Sequence, residues 1–187
     1  MANKIALMGA SGSGKDFTAE FLIKNFQYKR FSFSDQLKKL AHCIYPWLDV
    51  DYPPLIKEKK LDITLATGER ITKSPRDIWL HLNGLRDIER HIFIRMLSDE
   101  IEAAEADGNE INILISDIRS TDEFEWCKSH GFSVIYIKHE KQIYQDYEID
   151  SQIKDNGSKA DFTFVNKFEG IESFKEFYIK NFVEIQT

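Results

Sequence analysis

Cysteine, proline and glycine are all scarce in this 187-residue chain, with 2, 4 and 9 copies respectively. Two cysteines, Cys43 and Cys127, are too few for a disulfide framework. Neither belongs to a C-x-x-C pair or a Cys/His cluster of the kind that holds zinc. Both are read as reduced packing residues, as is usual inside cells. So little proline and glycine excludes collagen-like and low-complexity chains. No apolar run approaches the ~18 residues of a membrane span. The chain opens on a strand-like run rather than a leader, so a soluble, unsecreted, cytoplasmic protein is expected. An excess of positive charge is also missing. Lys and Arg number 25 against 31 Asp and Glu, a formal net charge of -6. Broad attraction to nucleic acid or anionic lipid is therefore not expected, and an anionic ligand would have to be held by local basic groups.

What is present is the composition of an ordinary globule, 42% hydrophobic and 30% charged. A chain of this size can bury ~70% of its unfolded surface in one core. Lys4 to Met8 reads as a short buried strand, followed by a helix from about Lys15 to Asn25. Phe17, Phe21, Leu22 and Phe26 are read as its apolar face. Arg30 to Phe33 is a second strand, after which Ser34 or Asp35 can cap a helix carrying Leu37, Leu40, Ala41 and Ile44. Pro46, Pro53 and Pro54 mark a loop, and Ile63 to Ile71 suits a hairpin around Thr67-Gly68-Glu69. Ser74-Pro75 starts a helix that ends near Asn83-Gly84. A longer helix is expected over about Arg86 to Ala106, stopping at Asp107-Gly108-Asn109. Ile111 to Ser116 is a near-continuous apolar run, as in the centre of a parallel sheet. A helix over Thr121 to His130, strands at Ser133 to Lys138 and Asp161 to Val165, and a helix from Ile171 to Phe182 complete the pattern. Alternating strands and helices imply an α/β chain with a parallel sheet and right-handed crossovers. No repeat or linker divides it, so a single domain over 1–187 is expected, with a helical insertion at about 45–107.

Between the first strand and first helix lies Gly9-Ala10-Ser11-Gly12-Ser13-Gly14-Lys15, a G-x-x-x-x-G-K pattern. By chance alone it would arise in about 0.05 of chains this long, and the strand before it and helix after it narrow that further. Glycines let the backbone curl so that N–H groups face phosphate oxygens, and the helix N-terminus adds its positive dipole end. Gly9, Ser11, Gly12, Ser13 and Gly14 are thus candidate phosphate-loop residues, with Lys15 reaching the β- and γ-phosphates of ATP. The next residue is Asp16 where Ser or Thr is usual. A carboxylate beside a triphosphate needs a cation between them, so Asp16 is a candidate Mg²⁺ ligand, direct or through water. The plainer alternative is that it only favours the helix N-terminus.

Ile111 to Ser116 leads into Asp117-Ile118-Arg119. An acid at the carboxyl end of a buried strand, in a chain with a phosphate loop, can position Mg²⁺. Arg119 would lie at the same sheet edge. The alternative is that Asp117 caps the next helix while Arg119 pairs with Asp122 or Glu123. Asp35 could orient or deprotonate an acceptor and Lys38 bind its phosphate, or Asp35 could simply cap a helix. Arg86 and Arg90, one turn apart on the expected helix, and Arg76 could grip a phosphate with guanidinium forks. Salt bridges to Asp87, Glu89 and other acids are the alternative for these arginines and Arg95. His42, His81, His91, His130 and His139 show no metal-ligand spacing.

Four stretches resemble the phage-type deoxynucleoside monophosphate kinases, within the wider nucleoside monophosphate kinase and dephospho-coenzyme A kinase group. They are GASGSGKDFTAEFL, FSFSDQLKKLA, SPRDIWLHLNGLRDIERHIFIRML and ILISDIRSTDEFEWCKSHGFSVIYI. The first carries that family's Asp after the loop lysine. The fourth carries D-x-R-x-x-x-E through Asp117, Arg119 and Glu123. ADFTFVN is similar to the family's last strand, which places Asn166 near the adenine. The resemblance implies a P-loop NTPase three-layer fold, a central parallel sheet flanked by helices in the nucleoside monophosphate kinase manner. It implies transfer of the ATP γ-phosphate to a deoxynucleoside 5'-monophosphate. Lys15, Asp16, Asp35 and Arg119 would be catalytic, with Thr18 and Asn166 on the ATP side and Mg²⁺ at Asp16 and Asp117. Asp35, Lys38, Arg76, Arg86, Arg90 and Arg119 would bind the acceptor. Small nucleotides would be the partners, with neither nucleic acid nor membrane. A phage origin would place the protein in the host cytoplasm, and a homodimer is left open. Two positions depart from the pattern: Phe17 stands where Thr is usual, and no arginine follows Arg119. The lid region Lys138 to Asp161 offers only Lys138, Lys141, Lys154 and Lys159, charge without the fork geometry. A dephospho-coenzyme A kinase-like enzyme and a catalytically weak nucleotide-binding regulator are the alternatives.

Overall fold

A computed structural model describes residues 3–51, 56–106, 108, 110–140 and 148–183. The expected loop prolines Pro53 and Pro54, the helix stop at Asp107 and Asn109, and Lys141 lie outside the described residues. In chain order the elements are β1 (Lys4–Met8), α1 (Lys15–Phe26), β2 (Lys29–Phe31), α2 (Phe33–Ile44), β3 (Leu61–Thr64), β4 (Arg70–Lys73) and α3 (Pro75–Asn83). A 3-10 turn (Gly84–Asp87), α4 (Ile92–Glu105), β5 (Ile113–Ile118), α5 (Thr121–Ser129) and β6 (Ser133–His139) follow. The chain continues through α6 (Glu148–Gly157), β7 (Phe162–Asn166), α7 (Glu172–Tyr178) and a π-turn (Ile179–Val183). It forms two compact units, Met1–Ser32 with Glu100–Thr187, and Phe33–Asp99.

The first unit is built on a five-stranded sheet in the order β2-β5-β1-β6-β7. Every pairing in it is parallel. Chain order reverses about β1, which has β5 on one side and β6 on the other, so the carboxyl end of β1 is the switch point where such sheets bind ligands. Alternate residues of the strands serve opposite faces. Ile5, Leu7, Leu114, Ile135, Ile137 and Phe164 form one core with Ala19 and Leu22 of α1 and Phe174, Tyr178 and Phe182 of the C-terminal helices. Many of the chain's aromatics are used here, several edge to face, as Phe164 on Phe174 at 5.1 Å. Tyr28 and Tyr178 share a buried hydrogen bond of 2.9 Å. Ala6, Met8, Ile113, Ile115, Val134 and Tyr136, on the alternate positions, are also buried. On that side α5 packs on β6, and α6 comes so close that a Cβ on Gly157 would fall 2.7 Å from the Tyr136 ring. The result is the expected three-layer arrangement of helix, parallel sheet and helix.

The second unit has its own small core, in which Ala41, Leu48, Ile78 and Trp79 pack with Leu37, Tyr45, Ile63 and Leu82. The expected hairpin is present, with β3 and β4 antiparallel and Ile63 opposite Ile71. Helix α3 starts as its sequence indicates. Ser74 Oγ accepts from the Asp77 amide at 3.1 Å, and Asp77 Oδ2 accepts from the Ser74 amide at 2.9 Å.

Several elements differ from their sequence reading. Strand β2 ends at Phe31 and α2 starts at Phe33, so Ser34 and Asp35 lie in its first turn rather than capping it. Phe17 is 54% exposed, because at 3.6 residues per turn it lies about 140° round the helix from Leu22. Cys43 is exposed and only Cys127 is a packing residue. Helix α6 went unforeseen, since its window EIDSQIKDNG is mostly polar.

Candidate functional site

The glycine loop turns directly from β1 into α1, and its backbone explains its glycines. Gly12 and Gly14 have φ of 74° and 96°, in the left-handed region that side chains disfavour. A Cβ on Gly9 would meet the Ile137 carbonyl oxygen at 2.4 Å, and one on Gly14 the Asn166 Nδ2 at 2.2 Å. The loop is therefore packed against the ends of β6 and β7. Ser11 and Gly12 are exposed at its crest, while Ser13 is fully buried. Lys15 is 8% exposed and lies back along the loop, its Nζ donating to the Gly9 and Ala10 carbonyls at 2.6 and 2.9 Å. As in any α-helix, the first amides of α1 lack an intrahelical acceptor. A buried ammonium, a glycine-rich turn and a helix N-terminus together make an anion site.

Asn166, expected beside the adenine, braces this loop. Its Nδ2 donates to the Ser13 carbonyl at 3.0 Å and its Oδ1 accepts the Phe168 amide at 2.9 Å. Thr18, expected on the ATP side, is 2% exposed, and its hydroxyl donates to the Gly14 carbonyl at 3.0 Å. Thr18 therefore bonds back to its own helix turn, because one residue's shift along α1 turns it inward from the exposed face that Asp16 and Phe17 occupy.

Asp117 is the penultimate residue of β5, is 8% exposed, and accepts a hydrogen bond from Ser32 Oγ at 2.8 Å. It does not cap α5. That cap is Ser120, whose hydroxyl accepts from the Glu123 amide at 3.3 Å. Glu123 Oε2 in turn accepts the Arg119 and Ser120 amides at 2.8 and 3.1 Å. The acid of D-x-R-x-x-x-E is thus a buried clamp on the turn that presents Arg119, whose own side chain is exposed. Gln152 of α6 adds a third tie, its side-chain oxygen accepting the Thr121 amide at 3.0 Å. Asp117 and Glu123 also act on Cys127. Burial first, and then the charges of Glu123 and Asp117, push that thiol well above its ordinary pKa.

Asp35, Lys38, Arg76, Arg86 and Arg90 all belong to the second unit. Lys38 Nζ pairs with Asp35 at 3.1 Å and lies 5.8 Å from the centre of the Trp79 ring. Arg76 pairs with Glu58 at 2.7 Å on the surface. The expected helical pairing of Arg86 with Arg90 is not found, because α4 begins only at Ile92. Arg86 sits in the 3-10 turn, donating to Asn83 Oδ1 at 3.0 Å with its guanidinium 5.1 Å from the Phe93 ring centre. The two share no helix face, since a Leu85–Glu89 turn intervenes. Arg95 forms a bidentate pair with Glu89 at 2.8 and 2.9 Å. That contact, foremost a hydrogen bond, holds the Glu89 carboxyl below its usual range.

Two residues were missed by sequence reasoning. Ser32 lacked a motif, and only the β2–β5 pairing brings it to Asp117. Phe168 follows β7, is 55% exposed, and has φ of 60°, a conformation rare for a bulky side chain. Its ring lies 4.7 Å from that of His139 and against the Gly14 position.

The donor set suits Mg²⁺. Asp16 and Asp117 offer hard carboxylate oxygens, and that ion takes one or two carboxylates with substrate phosphates rather than a protein cage. No group of three His, Cys, Asp or Glu placed to hold a metal exists among the described residues. Nor is any helix among them long and apolar enough to cross a membrane.

No family model matches the sequence, and no curated protein matches it. Solved structures do. The dephospho-CoA kinase of Campylobacter jejuni superposes with a TM-score of 0.56 at 13% identity, covering 99% of this chain and 98% of that one. TT1252 from Thermus thermophilus gives 0.55 at 12% identity, covering 100% and 98%. At identities this low the likeness is one of fold.

Proposed function

We propose that the chain is an ATP-dependent phosphotransferase that acts on a deoxynucleoside 5'-monophosphate and yields the diphosphate. The carrying observation is the glycine loop at the switch point of a parallel sheet, with Lys15 buried along it. In this reading Lys15 exchanges its two carbonyl partners for β- and γ-phosphate oxygens. The amides of the loop and of the first turn of α1, among them those of Ser11, Gly12 and Gly14, hold the same phosphates. Bound through Asp16 and Asp117, Mg²⁺ would neutralise charge on the transferring group. Arg119, held by the Glu123 clamp, supplies a guanidinium for that group. Phe168 offers the base an exposed ring beside the loop, and Asn166 contributes by keeping the loop in shape.

Acceptor binding falls to Asp35, Lys38, Arg76, Arg86 and Arg90. Asp35 orients or deprotonates the acceptor while Lys38, held beside it and Trp79, binds its phosphate. Arg76 would leave a weak surface partner to do so, since exposed pairs contribute only ~0–1 kcal/mol. Little covalent chemistry is asked of the protein, because positioning and electrostatics carry phosphoryl transfer.

The test is ADP release from ATP and Mg²⁺ against a panel of deoxynucleoside and ribonucleoside monophosphates, with dephospho-coenzyme A included. Turnover on a deoxynucleoside monophosphate that disappears in a folded Lys15→Ala variant is expected. Turnover on dephospho-coenzyme A alone would reassign the acceptor. ATP binding with no turnover on any acceptor would replace the enzyme by a nucleotide-binding regulator.

A further inference from the structure

Ser32 ends the first unit's β2 side and is 1% exposed, with its hydroxyl donating to Asp117 Oδ2 at 2.8 Å. A buried serine can satisfy its hydroxyl on a nearby main-chain carbonyl, the commonest local solution. Its neighbour across the strands follows that pattern more closely: Ser116 Oγ accepts from Arg30 Nε at 3.0 Å and contacts the Phe31 carbonyl at 3.5 Å. Ser116 thus laces β2 to β5 without touching a carboxylate. Ser32 instead spends its proton on an acid 85 residues away, at the carboxyl end of the central strands.

We propose that Ser32 is a positioning residue for the metal-directing carboxylate. Its hydroxyl fixes the Asp117 side chain in one orientation, turning Oδ2 toward β2 and so determining where the other oxygen points. A carboxylate held in this way meets a hydrated cation without first losing rotamer freedom. The inference rests on the proposed role of Asp117 in binding Mg²⁺, and it adds the group that makes Asp117 competent.

The experiment is calorimetric titration of the full chain with ATP at a series of Mg²⁺ concentrations, with melting temperature measured alongside. It reads binding, not turnover. Ser32→Ala is expected to leave metal-free ATP affinity unchanged and to raise the Mg²⁺ midpoint roughly tenfold, the scale on which partners of metal-directing groups act. Added to Asp117→Asn, it should move the midpoint no further. Ser116→Ala is the control for strand lacing and should lower the melting temperature while leaving the midpoint in place. A midpoint that stays put in Ser32→Ala but moves in Asp117→Asn would overturn the positioning role alone. So would an additive shift in the double variant. A midpoint unmoved even in Asp117→Asn would remove the metal role of Asp117, and this inference with it.

Discussion

Replacing Glu123 by glutamine tests whether the acid of D-x-R-x-x-x-E is structural or chemical. Its Oε2 accepts two amides, at 2.8 Å from Arg119 and 3.1 Å from Ser120, and the residue is 3% exposed. Glutamine keeps the shape and one acceptor oxygen but makes both bonds neutral. A bond to a charged group contributes ~1.5–3 kcal/mol against ~0.5–1.5 for a neutral one, so each bond weakens by about 1 kcal/mol. Loss of a negative charge from the first turn of α5 removes a further ~0.3–1 kcal/mol of dipole interaction. The total is about 2–3 kcal/mol, a drop of roughly 5–10 °C in melting temperature for a chain of this length. Scanning calorimetry and circular dichroism measure it directly. Turnover below the transition should fall only as far as Arg119 loosens, roughly tenfold or less. A Glu123→Gln protein that melts within about 1 °C of the parent would refute the clamp, because two charge-assisted bonds on a buried side chain cannot be neutralised at no cost. An unchanged melting temperature with abolished turnover would make Glu123 part of the chemistry.

Two glycines of the loop should respond differently to alanine. Gly12→Ala meets nothing within 4 Å and should cost only the ~1–2 kcal/mol of a left-handed side chain. Gly14→Ala must also push Asn166 off the Ser13 carbonyl, adding ~1–3 kcal/mol and weakening ATP binding; equal effects of the two on melting would show that Asn166 is no brace. The cysteines give a pH test: Cys43 should react with a thiol reagent in the native protein and Cys127 only on unfolding. The Cys127 thiol is pushed up in the fold by burial and then by Glu123 and Asp117, so it stays protonated where the unfolded thiol ionises. Its contribution is therefore neutral below the ordinary thiol pKa of ~8.5, and stability falls as pH rises above it. A Cys127→Ser variant that loses stability over the same alkaline range as steeply as the parent would assign the effect elsewhere.

Much of the scaffold was legible because its signals are local. Ile111 to Ser116 is apolar enough to declare a central strand, Ser74-Pro75 and Gly14-Lys15 mark helix starts by their backbone chemistry, and the glycine loop needs only spacing. What failed were readings that depend on how far a helix runs. Arg86 and Arg90 shared a face only on a helix that instead begins at Ile92, and periodicity does not locate that boundary. Helix α6 carries too few apolar residues to announce itself, and its docking relies on Gln152, Asn156 and Ile153 meeting α5 and the sheet.

The sequence by itself therefore determined the phosphate-binding loop and the parallel α/β scheme, since both arise from short-range rules of backbone conformation and strand hydrophobicity. The candidate acid Asp117 could be named from its strand, but its partner could not. Ser32, Asp117, Asn166 and Ser13 meet only after residues 85 and 153 positions apart are brought together by strand order. Hydrogen bonds of that separation leave no periodic trace in the chain. Tertiary structure alone decided that Asn166 and Glu123 are braces, that Thr18 turns inward, and that Ser32 holds the acid.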